Sequence, residues 1–181
     1  MADSTASMGS PSELARGAFR FVFEERDLDH PERYWTDRST NHFLATGEVV
    51  RGGDELARWF RRLFAAAPDW GIEIENVLDD GDRQAVVQWR GAGTFTAAPF
   101  LGIEPTGRRV ELRGVDVVRF DADGKVEQNT VYYDGAEFAR QIGLLPARDS
   151  GADRALLAAF NVATRVKGAV RAATAGRRDG A

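Results

Sequence analysis

Cysteine is absent from the 181 residues. No disulfide framework, thiolate nucleophile or zinc–cysteine centre can therefore form. Histidine is nearly absent, with only His30 and His42, too few for a histidine-rich metal centre; no metal ligands are assigned. No run approaches the roughly 20 apolar residues of a membrane-spanning helix. The opening MADSTASMGSPSE lacks the basic start and apolar core of a secretory signal, so a cytoplasmic location is expected. Positive charge is not in excess: 24 Lys and Arg stand against 28 Asp and Glu, a net charge of −4, which argues against nucleic acid as a partner. What is present, 43% hydrophobic and 10% aromatic residues, suffices for one globular core, and the length fits one domain with tails.

Residues 1–11 are small and polar and read as a disordered tail. Ser12 is placed to cap a helix running to about Asp27, with Leu14, Ala15, Ala18, Phe19, Val22 and Phe23 as its core-facing stripe. Pro31–Asp37 reads as a short helix or turn carrying Tyr34 and Trp35, and Asn41-His42-Phe43 as a short strand. After Gly52-Gly53, Asp54 is placed to cap a helix to Ala67, with the stripe Leu56, Trp59, Phe60, Leu63 and Phe64, ended by Pro68-Asp69-Trp70. Ile72–Leu78 alternates apolar with acidic residues as a strand with one wet face. Gln84–Thr96 is a longer strand whose Gly91 and Gly93 point to a bend or bulge.

The most informative stretch follows. Arg109–Phe120 alternates, with Val110, Leu112, Gly114, Val118 and Phe120 on one face, the period of a half-buried strand. Asp121–Gly124 is turn chemistry, Val126–Tyr133 returns antiparallel, and Phe138–Ile142 has helical spacing before Gly143. Helices first and a meandering sheet later argue an α+β fold, with a bent antiparallel sheet forming a cone around an apolar pocket. One residue breaks the pattern: Asp116 lies on the apolar face of its strand. An ionised carboxylate there is costly unless paired, hydrogen-bonded or facing a wet cavity, and burial raises its pKa toward the range useful for proton transfer. It is either a general base or a structural Asp neutralised by a neighbour such as Arg90.

The segment 147–181 follows a polar link and reads as an amphipathic helix with a basic tail. Leu156, Phe160, Ala163 and Val170 share a face, and six Lys and Arg stand against three Asp from Asp149 onward. Packing on its own domain or on a second subunit is the favoured reading; contact with a membrane surface is the other.

Several short pieces, taken in order, carry a resemblance. They are Pro68-Asp69-Trp70, Gly81-Asp82 before the strand ending near Trp89, Gly93-Thr94-Phe95-Thr96, Phe100-Leu101-Gly102-Ile103, Pro105-Thr106-Gly107-Arg108, Asp123-Gly124-Lys125-Val126, and Asp134 with Gln141-Ile142-Gly143. Over 12–146 the chain resembles the SnoaL-like polyketide cyclases, or ester cyclases, of the nuclear transport factor 2-like superfamily. The resemblance implies a cone-shaped α+β barrel, a homodimer or higher oligomer, no cofactor, and a flat polycyclic or isoprenoid ligand. Some members close a ring by intramolecular aldol addition, an acidic residue removing a proton beside a carbonyl. The family's catalytic His falls at Asp116 and its catalytic Asp at Val131; its frequent Trp is Thr130, and the His of its Gly-Thr-His-Thr is Phe95. The familiar acid–base pair is therefore altered.

Two catalytic candidates follow, Asp116 as base and His42 as a pocket-wall imidazole. Tyr34, Trp35, Arg90, Phe95, Asn129, Val131 and Tyr133 are the candidate substrate contacts, with Asn129 and Tyr133 placed to donate to an enolate oxygen. The expected activity is that of a cofactor-independent cyclase or isomerase acting on a carbonyl-bearing hydrophobic, polycyclic or polyketide-type molecule. A binding or assembly domain without catalysis is the alternative. An epoxide hydrolase is disfavoured, because its second Asp also falls at Val131.

Overall fold

The computed structural model describes residues 9–176, with the side chains of 169, 170 and 172–176 excepted. Most of the expected N-terminal tail, and the contribution of Val170 to the C-terminal stripe, lie outside what is described.

The first helix, α1, spans Pro11–Arg20. It begins two residues earlier than the sequence predicts, because Ser10 rather than Ser12 caps it. Ser10 Oγ accepts from Glu13 N while Glu13 reaches back to Ser10 N, and Pro11 occupies the first turn. The helix widens into a π-helical turn over Phe21–Glu25 and stops at Arg26, which adopts a left-handed conformation. The Arg26 guanidinium donates to the carbonyls of Pro68 and Trp70 and lies over the Phe64 ring. This ties the end of α1 to the end of α2 (Gly53–Ala66). Gly52, not Asp54, is the N-cap of α2; Asp54 sits in the first turn, where its charge favours the helix N-terminus.

The expected turn at 31–37 is shorter, a single 3₁₀ turn over Pro31–Arg33. Trp35 already opens β1 (Trp35–Phe43), three times the length of the expected strand, and β2 (Glu48–Arg51) pairs with it where no strand was expected. The four later strands fall where the sequence puts them: β3 (Gly71–Asp79), β4 (Gln84–Phe95), β5 (Arg108–Phe120) and β6 (Val126–Tyr133). The sheet order is β2-β1-β6-β5-β4-β3. All pairings are antiparallel except β1 with β6. The sheet is curved but does not close; β2 and β3 are its edges.

The β5–β6 turn works as its residues demand. Asp121 Oδ1 accepts from the backbone of Asp123 and Lys125, and Gly124 supplies a φ of 75°. Gly91 and Gly93 mark no bulge in β4, and the register shift lies in β3, between Ile74 and Asn76. The glycines instead make room: a Cβ at Gly93 would come within 2.8 Å of the Trp70 backbone, and one at Gly91 within 2.9 Å of its ring. Trp70 is held there because Asp69 accepts from Thr94 N and Oγ1 at 2.7 and 2.8 Å.

α1 and α2 pack on the concave face of the sheet, whose inward residues, Ala85, Val87, Trp89, Phe95, Val110, Leu112 and Val118, are buried. A short helix, α3 (Gly135–Gln141), closes the rim beside β5. Asp134 caps it, accepting from Glu137 N at 2.9 Å. The last helix is α4 (Gly151–Gly176). Leu156, Leu157, Phe160, Val162 and Val166 are exposed, and Asp153, beside Arg140, is the one buried residue among those described in it. Among the described side chains, its apolar residues do not pack into this core.

Candidate active site

Asp116 is the centre of the site because strand parity leaves it no other place. In β5 the inward positions are Val110, Leu112, Gly114, Asp116, Val118 and Phe120, all buried. Asp116 is 6% exposed, opposite Val87 on β4 and Val131 on β6. Both carboxylate oxygens are engaged. Trp89 Nε1 donates to Oδ1 and Asn129 Nδ2 to Oδ2, each at 2.7 Å. Burial pushes the Asp116 pKa up to about 6, against the pull of the hydrogen bonds from Asn129 and Trp89. Each oxygen keeps lone-pair capacity beyond the bond it accepts, so the group can still take a proton.

The donor on the β4 side owes its position to a glycine. Trp89 faces Gly114 across the ladder, and a Cβ at Gly114 would lie 2.2 Å from the indole. The empty side chain lets the ring lie flat against β5 and aim its N–H at Asp116. On the other side, Asn129 on β6 stands beside Asn41 on β1. Asn41, Asn129, Asp116 and Trp89 thus form a polar row across four neighbouring strands.

This row opens on a cavity of about 130 Å³ with otherwise apolar walls. All four tryptophans of the chain, Trp35, Trp59, Trp70 and Trp89, line it, with Phe43 stacked on Trp59 at 4.1 Å. Stripes expected to be core on α1 and α2 supply the opposite wall through Phe19, Phe23, Phe60 and Leu63. A cavity of this size holds about one ring, since an apolar cavity of roughly 150 Å³ takes benzene. Asp116 and Tyr133 are the only ionisable side chains among the described residues lining it. Burial, with the negative charge of Glu48, pushes the Tyr133 phenol up to about 12, so Tyr133 stays neutral. Asp116 alone titrates near neutrality there.

Of the sequence candidates, Asp116, Trp35, Phe95, Asn129, Val131 and Tyr133 all line the cavity. Three do not. His42 is on the outer face of β1, because Asn41 and Phe43 on either side of it are the buried positions; its expected place in the pocket wall is corrected by parity. Arg90 is exposed on the outer face of β4 and pairs with Glu111, so it is not the counter-ion of Asp116. Tyr34 precedes β1 and packs on Phe21 and Trp35, its ring 5.3 Å from that of Phe21, outside the cavity lining.

Two residues escaped the sequence reading. Asn41 is 1% exposed and lines the cavity; its signal is the parity it shares with Phe43, which a polar side chain masks because polarity reads as solvent-facing. Trp89 showed no sequence signal for its bond to Asp116, which depends on cross-strand register.

An open, curved sheet with helices on its concave face and a carboxyl at the bottom can be compared with known proteins. The sequence matches the SnoaL-like polyketide cyclase family over residues 13–142. The chain belongs to that family. Solved structures agree on the fold. TsrD from Streptomyces laurentii is 24% identical, covers 75% of this chain and 96% of its own, and superposes with a TM-score of 0.63. A putative SnoaL-like polyketide cyclase from Jannaschia sp. CCS1 gives 24%, 77%, 99% and 0.63. AclR from Streptomyces galilaeus, described as a putative hydroxylase, gives 20%, 87%, 94% and 0.63. At these identities the likeness shows the SnoaL-like fold alone. No curated protein matches the sequence. The polar row lies wholly within the family-matched residues, and α4 lies beyond them.

Proposed function

We propose that this SnoaL-like protein is a cofactor-independent cyclase or isomerase, with Asp116 as the base that removes a proton beside a carbonyl of a hydrophobic small molecule. The observation that carries the reading is the Asp116 carboxyl, sealed at the bottom of an apolar cavity and held by Trp89 and Asn129. A carboxyl with a pKa of about 6 is largely ionised at neutral pH, yet basic enough to accept a proton. In the step proposed, the carboxylate takes the proton from the carbon. The C–H electron pair moves into the adjacent C–C bond, and the carbonyl π electrons move onto oxygen. Where a C=C adjoins the deprotonated carbon, the dienolate is reprotonated at the far end of that double bond, giving an isomer; otherwise the enolate carbon attacks a second carbonyl of the same molecule, giving a ring. Asp116 returns the proton in either case.

A non-catalytic binding role is the competing reading, and it is favoured by Val131, an apolar residue where the resemblance implies a carboxylate. The two separate in a turnover screen against single-ring keto esters, cycloalkenones and monoterpene epoxides, chosen to fit a cavity of about one ring, read by mass spectrometry beside Asp116→Asn. A product of unchanged mass and altered retention, lost in the variant, is expected. Recovery of every compound unchanged, with some bound, would favour the binding role; a gain of one water would mean hydrolysis.

A further inference from the structure

Three buried polar atoms of this cavity have no hydrogen-bond partner: Trp35 Nε1, Asn41 Nδ2 and Asn129 Oδ1. Asn129 on β6 bonds to Asp116 and Asn41 on β1 pairs with Asn129, while Trp35 lies further along β1, opposite Val126. Asn41 and Trp35 are 1% and 8% exposed, so neither is served by bulk solvent. An unsatisfied buried donor or acceptor costs on the order of 1–3 kcal/mol, so three in one small cavity form a costly arrangement that a bound molecule would relieve. The fourth unpartnered atom, Arg140 Nε, does not belong to this cavity.

The pattern is specific. Two N–H donors require acceptor oxygens, and one amide oxygen requires a hydroxyl or another donor. A plain hydrocarbon satisfies none, and a simple ketone, whose oxygen has two lone pairs but no hydrogen, leaves the Asn129 oxygen unmet. The volume admits about one ring. We infer that the cavity is built for a compact single-ring β-dicarbonyl, with Asn41 donating to the oxygen that becomes the enolate, Trp35 donating to the second oxygen, and Asn129 accepting once the enolate is protonated on oxygen to the enol.

The chemistry agrees with the base. A carbon flanked by two carbonyls gives up its proton far more readily than one beside a single ketone, so a modest carboxylate base suffices. Asn129 joins both halves of the site, because the same amide that donates to Asp116 through Nδ2 presents Oδ1 to the ligand. Asn41, beside it in the register, supplies the fixed N–H dipole that gains strength as negative charge develops on the oxygen. This assignment rests on the proton-abstraction reading for its chemistry, but not for its binding.

The test uses the full chain and three probes of one skeleton: 2-acetylcyclopentanone, cyclopentanone and methylcyclopentane. Affinities come from calorimetry, and exchange of the acidic C–H with solvent comes from NMR in D₂O. Tightest binding of 2-acetylcyclopentanone is expected, by about tenfold over each of the others. Asn41→Leu should erase that advantage while leaving methylcyclopentane affinity essentially unchanged and the melting temperature no lower. Without any variant, the Asn41 side-chain amide resonance should shift on adding the β-dicarbonyl and not on adding methylcyclopentane. Equal affinities for the three probes, or an Asn41→Leu protein that keeps the preference, would overturn the assignment. If the preference depends on Asn41 but Asp116→Asn exchanges the proton as fast as the native protein, the ligand assignment stands and the catalytic reading fails.

Discussion

At the scale of a single residue, Asp116 makes the protein's stability depend on pH in an unusual direction. Its folded pKa of about 6 lies above the ordinary unfolded carboxyl value of about 3.9. Between those values the folded state binds more protons than the unfolded chain, so stability falls as pH rises. The contribution is fully present below about pH 4 and is lost as pH passes about 6, roughly 3 kcal/mol in all. Urea denaturation of the native protein and of Asp116→Asn from pH 4 to 7.5 should therefore show a difference in stability that shifts steadily in favour of the variant. A constant offset between the two curves would contradict the account. The sequence showed this residue clearly, since one charged side chain on an apolar face violates a simple alternation. It could not show the partners: Arg90, the charge nearest in expectation, lies on the wrong face, and the real donors are neutral N–H groups from Trp89 and Asn129.

At the scale of the element, the β4–β5 pair holds the site's geometry. Gly114 leaves the space that the Trp89 indole fills, so Gly114→Ala must push the ring off β5 and away from Asp116. Crowding of this kind costs about 1–3 kcal/mol. The expected outcome is a lower denaturation midpoint together with a changed Trp fluorescence spectrum; an unchanged spectrum with full stability would show that the ring tolerates the methyl. Period-2 patterning made β3 to β6 readable, because each has a less exposed face and a wetter one, the former holding buried residues only in β4 to β6. β1 and β2 were harder. β1 buries Trp35, Ser39, Asn41 and Phe43, half of them polar, so hydrophobicity alone does not trace its face. β2 is four residues at a sheet edge, too short for a period to show. The misplacement of His42 and the omission of Asn41 have this one cause.

At the scale of the whole molecule, the family-matched segment carries the fold and the cavity, and α4 is an addition to it. Leu156, Phe160 and Val166 are exposed, and the start of the helix is tied to the domain, where Asp153 lies 3.6 Å from Arg140 and accepts from Asp149 N. Ending the chain after Ser150 should lower the melting temperature by only a few degrees, the equivalent of about 1 kcal/mol in a protein of this size, with a single cooperative transition retained. Loss of cooperative unfolding would show that α4 is integral to the domain. Among the described residues no helix is long and apolar enough to cross a membrane. The α+β architecture was legible from the order of patterned segments, but the volume of the cavity was not, since it depends on how side chains from both helices and all the central strands meet.

The central claim is that a cavity-facing carboxyl is poised to move a proton near neutral pH. Its most direct test is a ¹³C NMR titration of aspartate carboxyls in the native protein, with Asp116→Asn to assign the signal. The account predicts one carboxyl, missing in the variant, that titrates with a midpoint near 6. A midpoint for Asp116 at or below the ordinary carboxylate value of about 4 would contradict it.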